Sequence, residues 1–585
     1  SEYKKSATSQ DFKGILKNKE ISSLDNSLVQ STKLNFNPYE SSISISGKGT
    51  VYLNLKGLTP YGSPGEPLLP MKSFTFEFPK SSKIIDIGLK EVYYREVKEK
   101  FIISPAPEPY ICGKENYNFG NLSDLISFDP EVYLSNDYFP GKVVTHHLGC
   151  NNEKKLVYVQ VFPVQYLPSE AKTIIITDAV LEIYYKNKDS CSFSGSSGHT
   201  TAHNIIIAPS DLYEEAKTLG EFHDNKGLST DVFNTSWIYN TYAESAEPSY
   251  WGYNDSSLVE NASINNYNYS LAKRIISFLN DTSFHSNLEY VTLFGTAKLV
   301  PPSYYFHSSE LGWTPTDFFY SSSDLDLIPN YHVGRLSVSN LEEAEHVVDK
   351  IINWNPKDNA FGNVTLSAGK LQSEVQFLGE LSTIDAVNNG FFNGIEIEKQ
   401  FDSNGNFNKE NFLDSLNGTT GFVYNVGHGN GGVLSFVGND VLFPGSEYLL
   451  SPEEILSLDS NNKTPIIMSL GCSNGKYDTD LTNSSFNSSI GESFLLSNGG
   501  GICYIGGAGT NIVSYHMSFD KGCLRLNKHG YMGCMFNKVC ENYHKDMDTL
   551  GIITTNAKQS YLEEIKLSDE NDLFTYFSFV LLGDP

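Results

Sequence analysis

Hydrophobic positions along this chain change rhythm once. Up to about residue 187 they alternate with polar ones in short runs: Ser42-Ile43-Ser44-Ile45-Ser46, Val51-Tyr52-Leu53-Asn54-Leu55, Phe74-Thr75-Phe76-Glu77-Phe78 and Val157-Tyr158-Val159-Gln160-Val161. Turns rich in Pro, Gly and Asn separate the runs. Such spacing predicts an antiparallel β-sandwich over residues 1–187. The adjacent His146 and His147 would point to opposite faces of a strand, which argues for surface residues over a metal pair. Residues 188–203, KDSCSFSGSSGHTTAH, are small and polar and read as a linker open to proteolysis.

From Asn204 onward strands alternate with helices. Residues 205–207 and 290–294 read as buried strands, the second ending at Gly295, with a helix over 210–226 closed by Gly227. Residues 340–354 carry Ala344, Val347, Val348, Ile351 and Ile352 at helical spacing, opened by Asn340 and Glu343 as a cap pair. Further buried strands are predicted at 364–366, 422–425, 466–470 and 502–505, and Ser451-Pro452-Glu453-Glu454 opens another helix. This alternation predicts an α/β fold of open, mostly parallel sheets in two subdomains, 204–356 and 357–585, with a break near Pro356.

Composition narrows the function. A chain of 585 residues is too long for one core and calls for roughly three to four domains. A net charge of −27 and a pI near 4.9 argue against nucleic acid and anionic membranes, because no basic surface is available to displace counterions. No apolar run is long enough to span a bilayer. The eight cysteines form no CxxC pair, which leaves a zinc or redox motif unsupported, while Cys523, Cys534 and Cys540 have room for one bridge. Asn-x-Ser/Thr sequons, among them Asn121, Asn234 and Asn363, lean toward a secreted or cell-surface protein.

Two stretches carry the chemistry: Gly421-Phe422-Val423-Tyr424-Asn425-Val426-Gly427-His428-Gly429 and Pro465-Ile466-Ile467-Met468-Ser469-Leu470-Gly471-Cys472. Each is an apolar run that stops at glycine and then presents one reactive group. Open α/β sheets place their chemistry at such strand ends. A thiol becomes a nucleophile as thiolate, which a neighbouring imidazole favours. A helix-connected crossover between the two strands would bring Cys472 and His428 together, with the N–H groups of Gly429 and Cys472 as donors to a developing oxyanion. By contrast Cys503 sits mid-strand and reads as inert.

An apolar block ending His-Gly followed by one ending Gly-Cys resembles the cysteine peptidases that include caspases, legumain, clostripain and gingipains. The rest of the chain is similar to the gingipain family. Thr316-Asp317-Phe318-Phe319-Tyr320 and Val333-Gly334-Arg335-Leu336 resemble its first catalytic subdomain. Cys472-Ser473-Asn474-Gly475, Gly491-Glu492-Ser493-Phe494-Leu495 and Leu582-Gly583-Asp584-Pro585 resemble its second, and Gly65-Glu66-Pro67-Leu68-Leu69-Pro70 its pro-domain. The resemblance implies a caspase-like catalytic unit behind a β-rich pro-domain that acts as intramolecular inhibitor. It implies a secreted endopeptidase made as a zymogen, acting on protein or peptide substrates, with Cys472 as nucleophile and His428 as acid/base. Val426, Leu470 and Gly471 would line the primary specificity pocket. No cofactor is required, although family members often carry structural calcium, for which Asp317, Asp324 and Asp326 are candidates beside a reading as solvated loop acids.

Two positions depart from the family pattern. An acid is expected behind the histidine, where this chain offers only Glu374. The acid that selects Arg or Lys is not identifiable; Thr510 and Asn511 occupy one plausible position. Activation would cut somewhere between Lys186 and His203, with Lys186 and Lys188 as natural sites if the enzyme prefers basic residues and an ordinary interdomain tether as the alternative. A transpeptidase or ligase would use the same acyl-enzyme, and a catalytically dead surface-binding protein is the reading from another class.

Overall fold

The computed structural model describes residues 27–37, 41–45, 49–79, 82–106, 110–111, 127–150, 154–187, 200–245, 250–251, 267–281, 284–285, 287–307, 311–322, 327–355, 363–369, 378–388, 391–417, 420–436, 449–459, 464–481, 486–520, 523–544, 549–563, 565 and 570–585. The four alternating runs at the amino-terminal end are strands, as predicted. Two four-stranded antiparallel sheets form there, one around the long strand Lys172–Asn187 and one around Lys154–Val161. Their inward faces share one core, with Val157, Val159 and Val161 of one sheet against Ile176, Leu181 and Ile183 of the other. Alternation with period two sends these side chains to one face, while Leu156, Tyr158 and Gln160 on the other face of Lys154–Val161 are buried as well.

The predicted linker falls largely on residues 188–199, outside the described residues; beyond residue 203 a ten-stranded sheet organises the chain. Its strands in chain order are β1 (Asn204–Ala208), β2 (Thr230–Asn234), β3 (Tyr290–Phe294), β4 (His332–Leu336), β5 (Asn363–Ala368), β6 (Ile397–Phe401), β7 (Thr420–Val426), β8 (Ile466–Ser469), β9 (Cys503–Gly507) and β10 (Phe579–Leu582). Their spatial order is β2-β1-β3-β4-β10-β9-β8-β7-β5-β6. The two sheets expected of the two subdomains are thus joined edge to edge. Strand β10 makes the join, parallel to β4 through the single couple Arg335–Leu582 and antiparallel to β9 through four couples. Because β10 pairs in opposite senses on its two sides, the halves run in opposite directions. The carboxyl ends of β5, β7, β8 and β9 therefore gather at one edge without those of β1, β3 and β4.

Helices cover the sheet much as the periodicity predicts. The helix α1 (Tyr213–Asn225) buries Ala216 and Leu219, and α2 (Leu341–Asn353) buries Ala344, Val347, Val348 and Ile351. Asn340 caps α2 by accepting from Glu343 N, whereas the Glu343 carboxylate reaches back to Ser339 N at 2.6 Å. Ser451 opens α3 (Pro452–Leu456) with a complete capping box.

Side chains reinforce the seam that one backbone couple leaves thin. Arg335 is fully buried and meets Asp317 through two bonds of 2.8 and 2.7 Å. It also donates to the carbonyls of Gly295 and Val300, and its guanidinium lies 4.8 Å from the Tyr477 ring centre. Four of the five guanidinium N–H donors are thereby used, beside a carboxylate counter-charge, which is what keeps a buried cation tolerable. Glu492, in helix α4 (Ile490–Leu496), ties the second half to the first by accepting from Ser337 Oγ at 2.7 Å. Burial pushes its carboxyl up to about 7, against the opposing bonds from Ser489 N–H, Ser337 and Thr479.

Two outcomes follow. Asp317→Ala strands the Arg335 cation in the core, so denaturant unfolding should register a loss of roughly 3–5 kcal/mol. Glu492 binds its proton more tightly folded than unfolded, so its contribution to stability falls as pH rises from its ordinary 4.5 to about 7 and is level above. Glu492→Gln should flatten that part of the stability–pH curve, as measured by urea titration at successive pH values.

Candidate active site

Strands β7 and β8 lie side by side in parallel, and their last couple is Asn425–Ser469. His428 and Cys472 each follow that couple by three residues, so both emerge at the same edge from neighbouring strands. The bond from Leu470 N to Asn425 O, 3.0 Å, carries the pairing one residue further. Beyond it the two chains turn apart. Gly429–Asn430 forms a hairpin with Val433–Ser435, and Ser435 N donates to His428 O at 2.9 Å. On the other side Ser473 takes a left-handed φ of 54°, with its N–H bonded to Gly509 O at 2.8 Å, and Gly475 N donates to Gly507 O at 3.0 Å. The thiol-bearing turn is thereby fixed to the end of β9.

The two glycines flanking this chemistry are required by close approach. A Cβ on Gly471 would fall 1.7 Å from Asn474 Oδ1, and one on Gly429 would fall 2.8 Å from Asn474 Nδ2.

Both reactive groups are shielded from solvent in the full chain: Cys472 is 5% exposed and His428 is 3% exposed. Cys472 Sγ lies 3.9 Å from Asn511 O. A short strand of the amino-terminal region, Tyr110–Ile111, pairs antiparallel with Val513 and Ile512, the residues that immediately follow Asn511. Val426 and Leu470 are fully buried in the same cluster as Cys472. Thr510 is partly exposed. The Asn511 side chain is buried and donates to Gly471 O at 3.0 Å, which makes it a support of the turn.

Glu374, Asp324, Asp326 and Lys188 lie outside the described residues. Glu380, six residues beyond Glu374, is buried and accepts from Ser403 N at 2.7 Å and Ser403 Oγ at 2.6 Å. Both oxygens of Asp317 are taken by Arg335, which commits that carboxylate to an ion pair. Lys186 is exposed near the end of its strand. Cys503, Cys534 and Cys540 are buried, and burial pushes the Cys503 thiol up to about 12, away from thiolate chemistry.

A polar ladder behind the strand ends is absent from the sequence-based expectations. Asn425 Nδ2 donates to Ser367 O at 3.3 Å on β5, and Asn425 Oδ1 accepts from Ser469 Oγ at 3.0 Å on β8. Ser469 Oγ in turn accepts from Gly471 N at 3.3 Å, and Tyr504 OH donates to Ser469 O at 3.2 Å. The visible signal was one polar residue inside each otherwise apolar run, since a buried amide or hydroxyl persists only with partners.

The model of peptidase family C25 matches residues 197–585. The chain belongs to peptidase family C25. It is accordingly a cysteine peptidase, with protein as its class of substrate, and the expected gingipain-type kinship holds. An uncharacterized protein of Archaeoglobus fulgidus is 31% identical over 397 residues, 64% of this chain and 90% of that protein. The crystal structure of the Arg-specific cysteine proteinase gingipain R is similar at 16% identity and a TM-score of 0.47, covering 67% of this chain and 79% of that one. The complex of Porphyromonas gingivalis RgpB pro- and mature domains is similar at 17% identity and a TM-score of 0.46, covering 66% of this chain and 79% of that one. No helix among the described residues is long and apolar enough to cross a membrane.

Removing the amide at the centre of the ladder leaves the Ser367 and Ser469 hydroxyls buried without it. Asn425→Ala should therefore lose about 1–3 kcal/mol of stability, as measured by chemical denaturation.

Proposed function

We propose that this chain is a secreted cysteine endopeptidase in its latent form, with Cys472 as nucleophile and His428 as acid/base. The observation that carries the reading is the placement of both groups three residues past the last couple of two adjacent parallel strands. In the proposed reaction the Cys472 thiolate attacks the scissile carbonyl carbon. The carbonyl electron pair moves onto oxygen, where the N–H groups of Gly429 and Cys472 stabilise it. Collapse of this intermediate breaks the C–N bond, and the departing amine takes its proton from His428. Water then attacks the thioester, giving up a proton to His428, and breaking the C–S bond releases the carboxylic acid and restores the Cys472 thiolate beside protonated His428. Val426, Leu470 and Thr510 line the subsite for the residue before the cut. No charged group stands among these three, which favours an uncharged side chain there.

Latency is supported by three contacts that the amino-terminal region makes with the catalytic part. The strand Tyr110–Ile111 extends the strand that begins at Ile512, beside the thiol-bearing turn. Ser73 Oγ donates to Glu563 O at 2.5 Å, and Gln160 Nε2 donates to Ile565 O at 3.0 Å. Cleavage between 186 and 203 would free this region from the site. Secretion is supported by the sequons.

The test is covalent labelling with a peptidyl electrophile. Wild-type chain cut within 186–203 should label at one residue, uncut chain at least about 10-fold more slowly, and Cys472→Ala not at all. Equal labelling of wild type and Cys472→Ala would overturn the assignment of the nucleophile.

A further inference from the structure

One buried amide lies between the two catalytic turns and belongs to neither reactive group. Asn474 is completely shielded. Its Nδ2 donates to Asn430 O at 2.5 Å and to Val433 O at 3.0 Å, the two carbonyls that flank the tip of the imidazole-bearing hairpin. Its own backbone is locked into the thiol-bearing turn, by its N–H to Gly471 O at 3.3 Å and by Gly491 N–H to its carbonyl at 2.7 Å. The amide plane fills the gap between the turns so closely that neither Gly471 nor Gly429 has room for a Cβ.

We infer that Asn474 is a positioning residue that sets the separation of His428 from Cys472 by clamping the His428 hairpin onto the Cys472 turn; this rests on the Cys–His reading above. The argument is geometric. Past Leu470 the strands no longer pair, so backbone bonds cease to fix one turn against the other just where the reactive groups begin. Both protons of the Asn474 amide are spent across that gap on carbonyls of the opposite turn. An aspartate has no proton to give at neutral pH and would set a charge against two carbonyl oxygens. A glutamine is one methylene too long for a space already closed by two glycines. Asparagine is the side chain that fits both the donors and the room.

Displacement of a catalytic pair by about 1 Å costs about 100-fold in rate, while substrate contacts elsewhere are untouched. In chain activated by cleavage within 186–203, Asn474→Ala and Asn474→Asp should therefore lose about 100-fold in kcat per titrated Cys472, with KM within about threefold. Alkylation of Cys472 by iodoacetamide, which needs the thiolate but no correctly placed acid for a leaving group, should stay within about threefold. Asn474→Ser keeps one donor on a shorter arm and disturbs the fold least; its kcat should fall between wild type and Asn474→Ala. An unchanged kcat per titrated site in the variants, or parallel losses in kcat and in iodoacetamide rate, would make Asn474 a merely structural residue and overturn the proposal. Cleavage by Cys472→Ala at the wild-type rate would instead sink the assignment of Cys472 as nucleophile, on which this proposal rests.

Discussion

Parallel pairing of β7 with β8 is the constraint on which the site depends. A parallel ladder fixes register to within one residue, and a slip of one would send every side chain to the other face. With Asn425 opposite Ser469, the third residue beyond each lies at a common edge. Neither reactive group then needs a long loop to reach the other. The cost of ordering them falls on strands already buried on both faces, whose apolar side chains stabilise the sheet for their own reasons. The polar ladder through Ser367, Asn425 and Ser469 keeps that register from being purely hydrophobic, since a shifted strand would leave amide and hydroxyls without partners.

Burial of the thiol and imidazole in the full chain gives the site a second property. Cys472 and His428 keep only 5% and 3% of their surface exposed, and the segment after Asn511 pairs with a strand contributed from the amino-terminal part of the chain. Pairing of that kind gains its affinity from main-chain bonds, which any extended peptide can offer. The contact is therefore general in chemistry and specific only in being tethered.

The sequence made some of this legible and hid the rest, for physical reasons. Strand ends at His428 and Cys472 could be read because an apolar run, a glycine and one reactive group are neighbours in the chain. The Ser451 capping box could be read because its partners are three residues apart. Union of the two halves could not: it depends on four residues, Phe579–Leu582, more than two hundred positions from the strand they join. Reversal of strand direction across the seam leaves no local trace, because a buried strand has the same composition whichever way it runs. Asn474, Asn425 and Ser469 stood in plain view inside the quoted stretches. Their roles were hidden because a hydrogen bond names its partner only in three dimensions. Asn511 was placed in the right neighbourhood for a different purpose, holding Gly471 from behind.

Strand β10 also sets the order in which the molecule can be finished. A ribosome releases β4 long before it makes β10, so throughout that interval the first half ends in a bare sheet edge with the Arg335 cation waiting beside it. The two halves become one body only when the last of the ten strands arrives and is inserted between them. For this fold, the hazardous interval of biogenesis is the one that separates β4 from β10.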